Sequence, residues 1–172
     1  IDATMGMVTG GYEAEQEHGN HRSTYFIDLT TFEVLENGPV LNKERMNHGC
    51  TTFNHKGDNV VIVAGGRYST CNWCTTYNYK HSNSWEFLNL SDEKLSWKNF
   101  DPHHSLPFRL YYFSLVTSTL GPLAIGGYNQ EKSSNSANSR EILRLDCDSS
   151  PDDISKCTWK KLEKKLEVGR YG

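Results

Sequence analysis

Val60-Val61-Ile62-Val63-Ala64-Gly65-Gly66 is an apolar, β-branched run stopped by two glycines. β-branched residues fit a buried pleated strand, and a glycine pair gives the backbone room to turn tightly or approach another strand. Gly6-Met7-Val8-Thr9-Gly10-Gly11-Tyr12 precedes it and Pro122-Leu123-Ala124-Ile125-Gly126-Gly127-Tyr128 follows it, with the glycine pairs 55 and 61 residues apart. One strand ending in glycine says little. Three at this spacing predict an internal repeat.

Other positions keep the same order. After each glycine pair comes a Ser-x-x-apolar-apolar-x-Leu stretch at 23–29, 84–90 and 139–145. An aromatic follows (Phe32, Trp97, Trp159), then an arginine (Arg45, Arg109, Arg170) at spacings of 64 and 61. The polar segments between them read as turns and loops, and helical periodicity is missing almost everywhere. Lys160 to Glu167 lacks a sustained apolar face, so the chain is predicted to be all-β.

The strands expected for the first unit are 1–12, 23–29 and 32–35, with an exposed acidic loop at 13–22. The second unit has strands at 49–53, 60–66, 84–90 and 95–100, with a long loop at 67–82. The third has strands at 111–119, 123–127, 140–145 and 158–162, with a polar loop at 129–138. The pattern is a meander of four short antiparallel strands, of which the first unit shows three, with boundaries near 1–44, 45–108 and 109–172 and a strand exchanged at each boundary.

With 172 residues the chain is long enough for a sizeable core in a single domain. A net charge of −3 and a pI near 6.2 give no electrostatic case for nucleic acid or an anionic membrane. The longest apolar run is too short to span a bilayer. The chain begins Ile1-Asp2 and shows no signal peptide, an absence that says little.

Five cysteines stand at 50, 71, 74, 147 and 157. Cys147 stands just after one expected strand and Cys157 just before the next, so a bridge between them would staple the loop 148–156 in an oxidising compartment. Cys71-Asn72-Trp73-Cys74 leaves three readings open: a local loop disulfide, two free thiols, or metal or redox chemistry. The redox motif expects a βαβ setting, and a zinc site would want a second pair at the right spacing. Cys50 is expected as a small buried hydrophobe.

The apolar run with its glycine pair, the later aromatic and the arginine together resemble the kelch repeat, three copies covering essentially the whole chain. The resemblance implies a β-propeller of four-stranded antiparallel blades. Phe32 stands where tryptophan is usual, and Ile27, Leu88 and Leu143 replace the expected tyrosine. Kelch-like rings have about six or seven blades, so three blades would leave two apolar faces bare. Either a longer chain or another copy is then expected to complete the ring.

The loops after the three glycine pairs occupy one position in the repeat and should share one face. That face would carry Glu13, Glu15, Glu17, His18, Arg67, Tyr68, Trp73, Tyr77, Tyr79, Tyr128 and Glu131. Tyr, Trp and Arg are favoured at interface centres, which makes this face the candidate protein-binding surface. The alternative is that the aromatics pack beneath their own loops. Arg45, Arg109 and Arg170 could ring a central channel, but a scaffold role, pairing with a Glu or Asp of a neighbouring strand, suits a repeated residue better.

Catalytic chemistry has little support. The sequence holds no Gly-x-Ser-x-Gly, no His-Glu-x-x-His and no phosphate-cradling glycine loop. In an extended chain His103 and His104 would point apart. No cofactor and no metal are expected. The function read from the sequence is a non-catalytic protein–protein interaction or assembly module. The competing readings are a galactose-oxidase-like copper enzyme and an intracellular kelch adaptor or actin-associated protein. Asn89-Leu90-Ser91 is a glycosylation sequon; with Cys147 and Cys157 it favours an extracellular location over a cytoplasmic one.

Overall fold

The computed structural model describes residues 4–12, 21–69, 79–132, 137–149 and 152–170. These residues are all-β, in several antiparallel sheets, none of which closes on itself. The first sheet contains β1 (Met5–Thr9), β2 (Thr24–Asp28) and β3 (Val34–Asn37) in sequence order. The second contains β4 (Gly49–His55), β5 (Asp58–Ala64), β8 (Trp85–Asn89) and β9 (Lys98–Asn99). The third contains β11 (Ser114–Ser118), β12 (Gly121–Ile125), β14 (Ile142–Asp146) and β15 (Thr158–Lys161).

Two small two-stranded sheets lie beside these: the hairpin of β6 (Arg67–Ser69) and β7 (Tyr79–His81), and β10 (Leu110–Tyr111) paired with β13 (Tyr128–Asn129) across the intervening β11 and β12. The sequence reading placed the first of these in a loop; short aromatic strands without an apolar run carry no strand signal. Short 3-10 turns at Pro102–His104 and Ile154–Lys156 are the helical pieces among the described residues. His103 and His104 therefore sit in a 3-10 turn rather than an extended segment.

The Val60–Ala64 run is apolar throughout because both of its faces are covered. Every residue in it is 0% exposed. Val60, Ile62 and Ala64 pack with Trp85, Phe87, Leu115, Ala124, Leu143 and Trp159 between the second and third sheets. Val61 and Val63 pack with Leu88, Trp97, Leu41 and Met7 toward the first sheet. Strand alternation thus sends neighbouring side chains into two cores, each Val or Ile contributing roughly 1.5–3 kcal/mol by burial.

Four expectations need correction. Phe32 does not take the tryptophan position: it lies in the β2–β3 turn at φ 61° and is 79% exposed. The residue opposite Ile27 is Val34. Cys50 is exposed rather than buried: it pairs with Val63 and shares its face of the second sheet, but there it lines a crevice with Met5, Gly6 and Met7 that the first sheet does not fill. The motif sets Ser139 against Ser84, but Ala64 pairs with Trp85 and Ile125 with Ile142. The third repeat is thus shifted by two residues; an even shift leaves each side chain on its own face, so the apolar pattern survives it. The fourth correction concerns Arg109 and depends on how successive sheets are joined.

Candidate functional site

Each glycine pair docks on a later segment of the chain: the first two on the segments that lead into the second and third sheets, the last on the segment after β15. The N–H of Gly11 donates to Arg45 O (2.8 Å), that of Gly66 to Leu110 O (2.8 Å) and that of Gly127 to Arg170 O (2.7 Å). The preceding glycines lie at φ 58°, 63° and 71°, a left-handed backbone that side chains disfavour. A Cβ on Gly10 would sit 2.5 Å from Arg45 O, one on Gly126 2.7 Å from Arg170 O, and one on Gly65 would overlap Leu110 O. Glycine is required here by the close approach of another backbone segment.

This register puts Leu110, not Arg109, at the position of Arg45. Arg109 lies one residue early, exposed, with an ion pair to Glu131 at 3.6 Å. Arg170 is exposed and contributes its backbone. A repeated leucine, missed in the sequence, accompanies the pattern. The N–H groups of Leu41, Leu106 and Leu166 donate to the carbonyls of Arg22, Asn83 and Arg140.

Arg45 is a buried connector. Its guanidinium donates to Glu86 Oε1 (3.0 Å), Gly65 O (2.7 Å), Ser84 O (3.1 Å) and Ser84 Oγ (2.7 Å). Glu86 also accepts from the N–H groups of Asn42 (2.6 Å) and Lys43 (3.2 Å). Burial lowers the Arg45 pKa, and the Glu86 carboxylate opposes that shift. These are scaffold contacts, with no free edge for a ligand.

The two small two-stranded sheets bring aromatic residues together. The Arg67 guanidinium lies 4.3 Å from the Tyr79 ring centre, 5.2 Å from Tyr112 and 5.5 Å from Tyr111. It donates to Asn47 Oδ1 (3.0 Å) and to the Tyr112 hydroxyl (2.9 Å). Asn47 and Tyr112 are both left-handed at φ 54°, uncommon for asparagine and an outlier for tyrosine. Tyr111 stacks on His81 (4.6 Å) and meets Tyr128 at 5.0 Å. Burial raises the Tyr111 pKa. Burial, and then the charges of Arg67 and Arg109, lower that of His81.

Of the residues assigned to the binding face, the structure brings together Arg67, Tyr79 and Tyr128, with Tyr68 half-buried beside them in β6. Tyr111, Tyr112 and His81 join them without having been singled out. A tyrosine pair read as strand gives no sign in the sequence that it will face a neighbouring hairpin. Glu13, Glu15, Glu17, His18, Trp73, Tyr77, Cys71 and Cys74 lie outside the described residues.

Cys147 and Cys157 form a disulfide with a Cα–Cα distance of 4.4 Å. Asn89 is half-buried; its amide nitrogen donates to Asp58 (3.0 Å), and its oxygen accepts from Ser91 N (2.9 Å). Among the described residues no group of His, Cys, Asp and Glu could hold a metal ion. No helix among them is long and apolar enough to cross a membrane.

No family model matches the sequence, and no curated protein matches it. The fold is similar to that of the solved structure of YjhT, with a TM-score of 0.62 at 10% sequence identity. The likeness covers 93% of this chain and 43% of that one. This chain therefore spans less than half of the YjhT chain, and at this identity the likeness is one of β fold alone.

Proposed function

We propose that this chain is a run of three kelch-like blades of a β-propeller, acting as a non-catalytic protein–protein interaction or assembly module. The observation that carries the reading is the cluster of Arg67 with Tyr79, Tyr111, Tyr112 and Tyr128, a combination favoured at interface centres. The glycine-pair docking supports the propeller arrangement, because it relates the first sheet to the second and the second to the third in the same way, and the same contact recurs after β15. Val8, Tyr25 and Val34 of the first sheet are exposed. Further blades of the same kind, from this chain or another copy, would cover that face.

The disulfide supports an extracellular location, where Asn89 would be open to glycosylation; modification of its amide nitrogen leaves one N–H for Asp58. A photo-cross-linker at Tyr128, tested in the protein's native milieu, should give a discrete protein adduct that Arg67→Gln abolishes. A cross-linker at Leu120, at the other end of β12, should give none. Equal capture from both ends, or indifference to Arg67, would contradict the binding face.

A further inference from the structure

The Cys147–Cys157 bridge closes a strap that leaves the third sheet and grips the second. Cys147 follows β14 and Cys157 precedes β15, so both anchors belong to the third sheet. The strap's contacts reach elsewhere. Asp152 pairs with Lys56 in the β4–β5 turn of the second sheet. Ser155 O accepts from the N–H of Asp101 (3.0 Å), just beyond β9. Ile154 and Cys147 pack against the core shared by the two sheets, within which Cys157 is fully buried.

Internal bonds preshape the strap for this grip. Asp153 caps its 3-10 turn by accepting from Ser155 N (3.0 Å) and Ser155 Oγ (2.6 Å). Asp152, Asp153, Ile154 and Ser155 then form one wall of a crevice of about 450 Å³, whose far wall includes His55, Lys56, Phe87 and Lys98. The crevice has two walls only while the strap is held across the boundary.

We propose that the Cys147–Cys157 disulfide is a redox-dependent clamp between the second and third sheets, rather than a staple of its own loop. A loop staple would order residues 148–156 alone. This one fixes both ends of a segment whose ion pair, backbone hydrogen bond and apolar contact lie on a different sheet, so its constraint is transmitted there. A dithiol opens it in two exchange steps. Its first thiolate attacks one bridge sulfur, and its second displaces the remaining protein sulfur. The dithiol leaves as a disulfide, and its two protons end on the two cysteine thiols. The inference is independent of what the aromatic face binds.

The test is residue-resolved amide exchange of the oxidised protein, of the protein reduced with dithiothreitol, and of Cys147→Ser/Cys157→Ser. Reduction should speed exchange at Asp101 and across 55–58 by tenfold or more, leaving β1 and β2 unchanged. Ile154→Ala, which keeps the bridge and weakens the strap's packing, should reproduce part of the effect at Asp101. Faster exchange confined to 148–157 would overturn the proposal. So would loss of protection throughout all three sheets, because a clamp acts at one boundary. No response at Asp101 in oxidised Ile154→Ala would overturn it as well.

Discussion

Arg45 and Glu86 form a salt bridge at 3.0 Å with side chains 1% and 0% exposed, and the third sheet fills the matching positions with leucines. In the glycine-pair register Leu110 stands for Arg45, and in the ladder register Leu143 stands for Glu86; both leucines are buried in one core. The same joint is thus built once from opposite charges and once from hydrocarbon. A buried ion pair often gains little over apolar residues of similar size, whereas losing one partner strands a charge.

Arg45→Leu and Glu86→Leu alone should each cost about 3–5 kcal/mol. The double variant should recover at least about 2 kcal/mol of the summed loss, by the coupling expected of contacting residues. Chemical denaturation of the four proteins completes the cycle. Additive losses would show that the two side chains act separately.

The glycine requirement is specific to the joints. Gly65→Ala sets a Cβ on Leu110 O at a left-handed φ. Gly57→Ala also has positive φ but has nothing within 4 Å. The second should cost about 1 kcal/mol, the left-handed penalty alone, and the first at least twice that. Urea midpoints compare them.

His48 makes acid destabilising. It is held at a pKa of about 4 by burial and by the Arg45 charge, and its Nε2 lies 2.8 Å from Thr9 Oγ1. The unfolded chain takes up this proton near pH 6.5, the folded chain only near 4. Between those values the unfolded state binds more protons, so stability falls as pH drops, by roughly 3 kcal/mol once pH is below 4. Above pH 6.5 neither state is protonated and the effect vanishes. The stability difference between the wild type and His48→Gln should track this window. A difference independent of pH would contradict it.

Two tryptophans at equivalent places differ in their hydrogen bonds. Trp97 Nε1 donates to Pro39 O at 2.9 Å, while buried Trp159 Nε1 has no partner among the described residues. Trp97→Phe leaves a carbonyl unpaired, and Trp159→Phe removes an unpaired donor. The first should therefore be the more destabilising by about 1 kcal/mol in thermal unfolding, on the usual worth of one hydrogen bond.

The glycine pairs were legible in the sequence because left-handed backbone and a carbonyl where a Cβ would stand both select glycine at Gly10, Gly65 and Gly126. The central strands of the second sheet, β5 and β8, were legible because burial on both faces leaves continuous apolar runs, and β12 of the third, buried on alternate residues, was legible through the glycine pair that follows it. Register was harder. Arg109 sits one residue from Leu110, and an arginine at the right spacing conceals the change from charge to hydrocarbon. The Ser139 alignment failed by two residues without disturbing the pattern, since an even shift costs nothing in face. The tyrosines around Arg67 were half legible. Tyr79 and Tyr128 follow the glycine pairs directly or close a loop from them, whereas Tyr111 and Tyr112 reach the cluster only through the packing of two small sheets.

The account rests on sheets joined in register by their glycine pairs. Trans-hydrogen-bond scalar couplings in the isotopically labelled, perdeuterated protein observe those joints directly. They should link Gly11 N to the carbonyl carbon of Arg45, Gly66 N to that of Leu110, and Gly127 N to that of Arg170. Coupling of Gly66 to Arg109, or rapid exchange of all three glycine amides with no coupling, would contradict it.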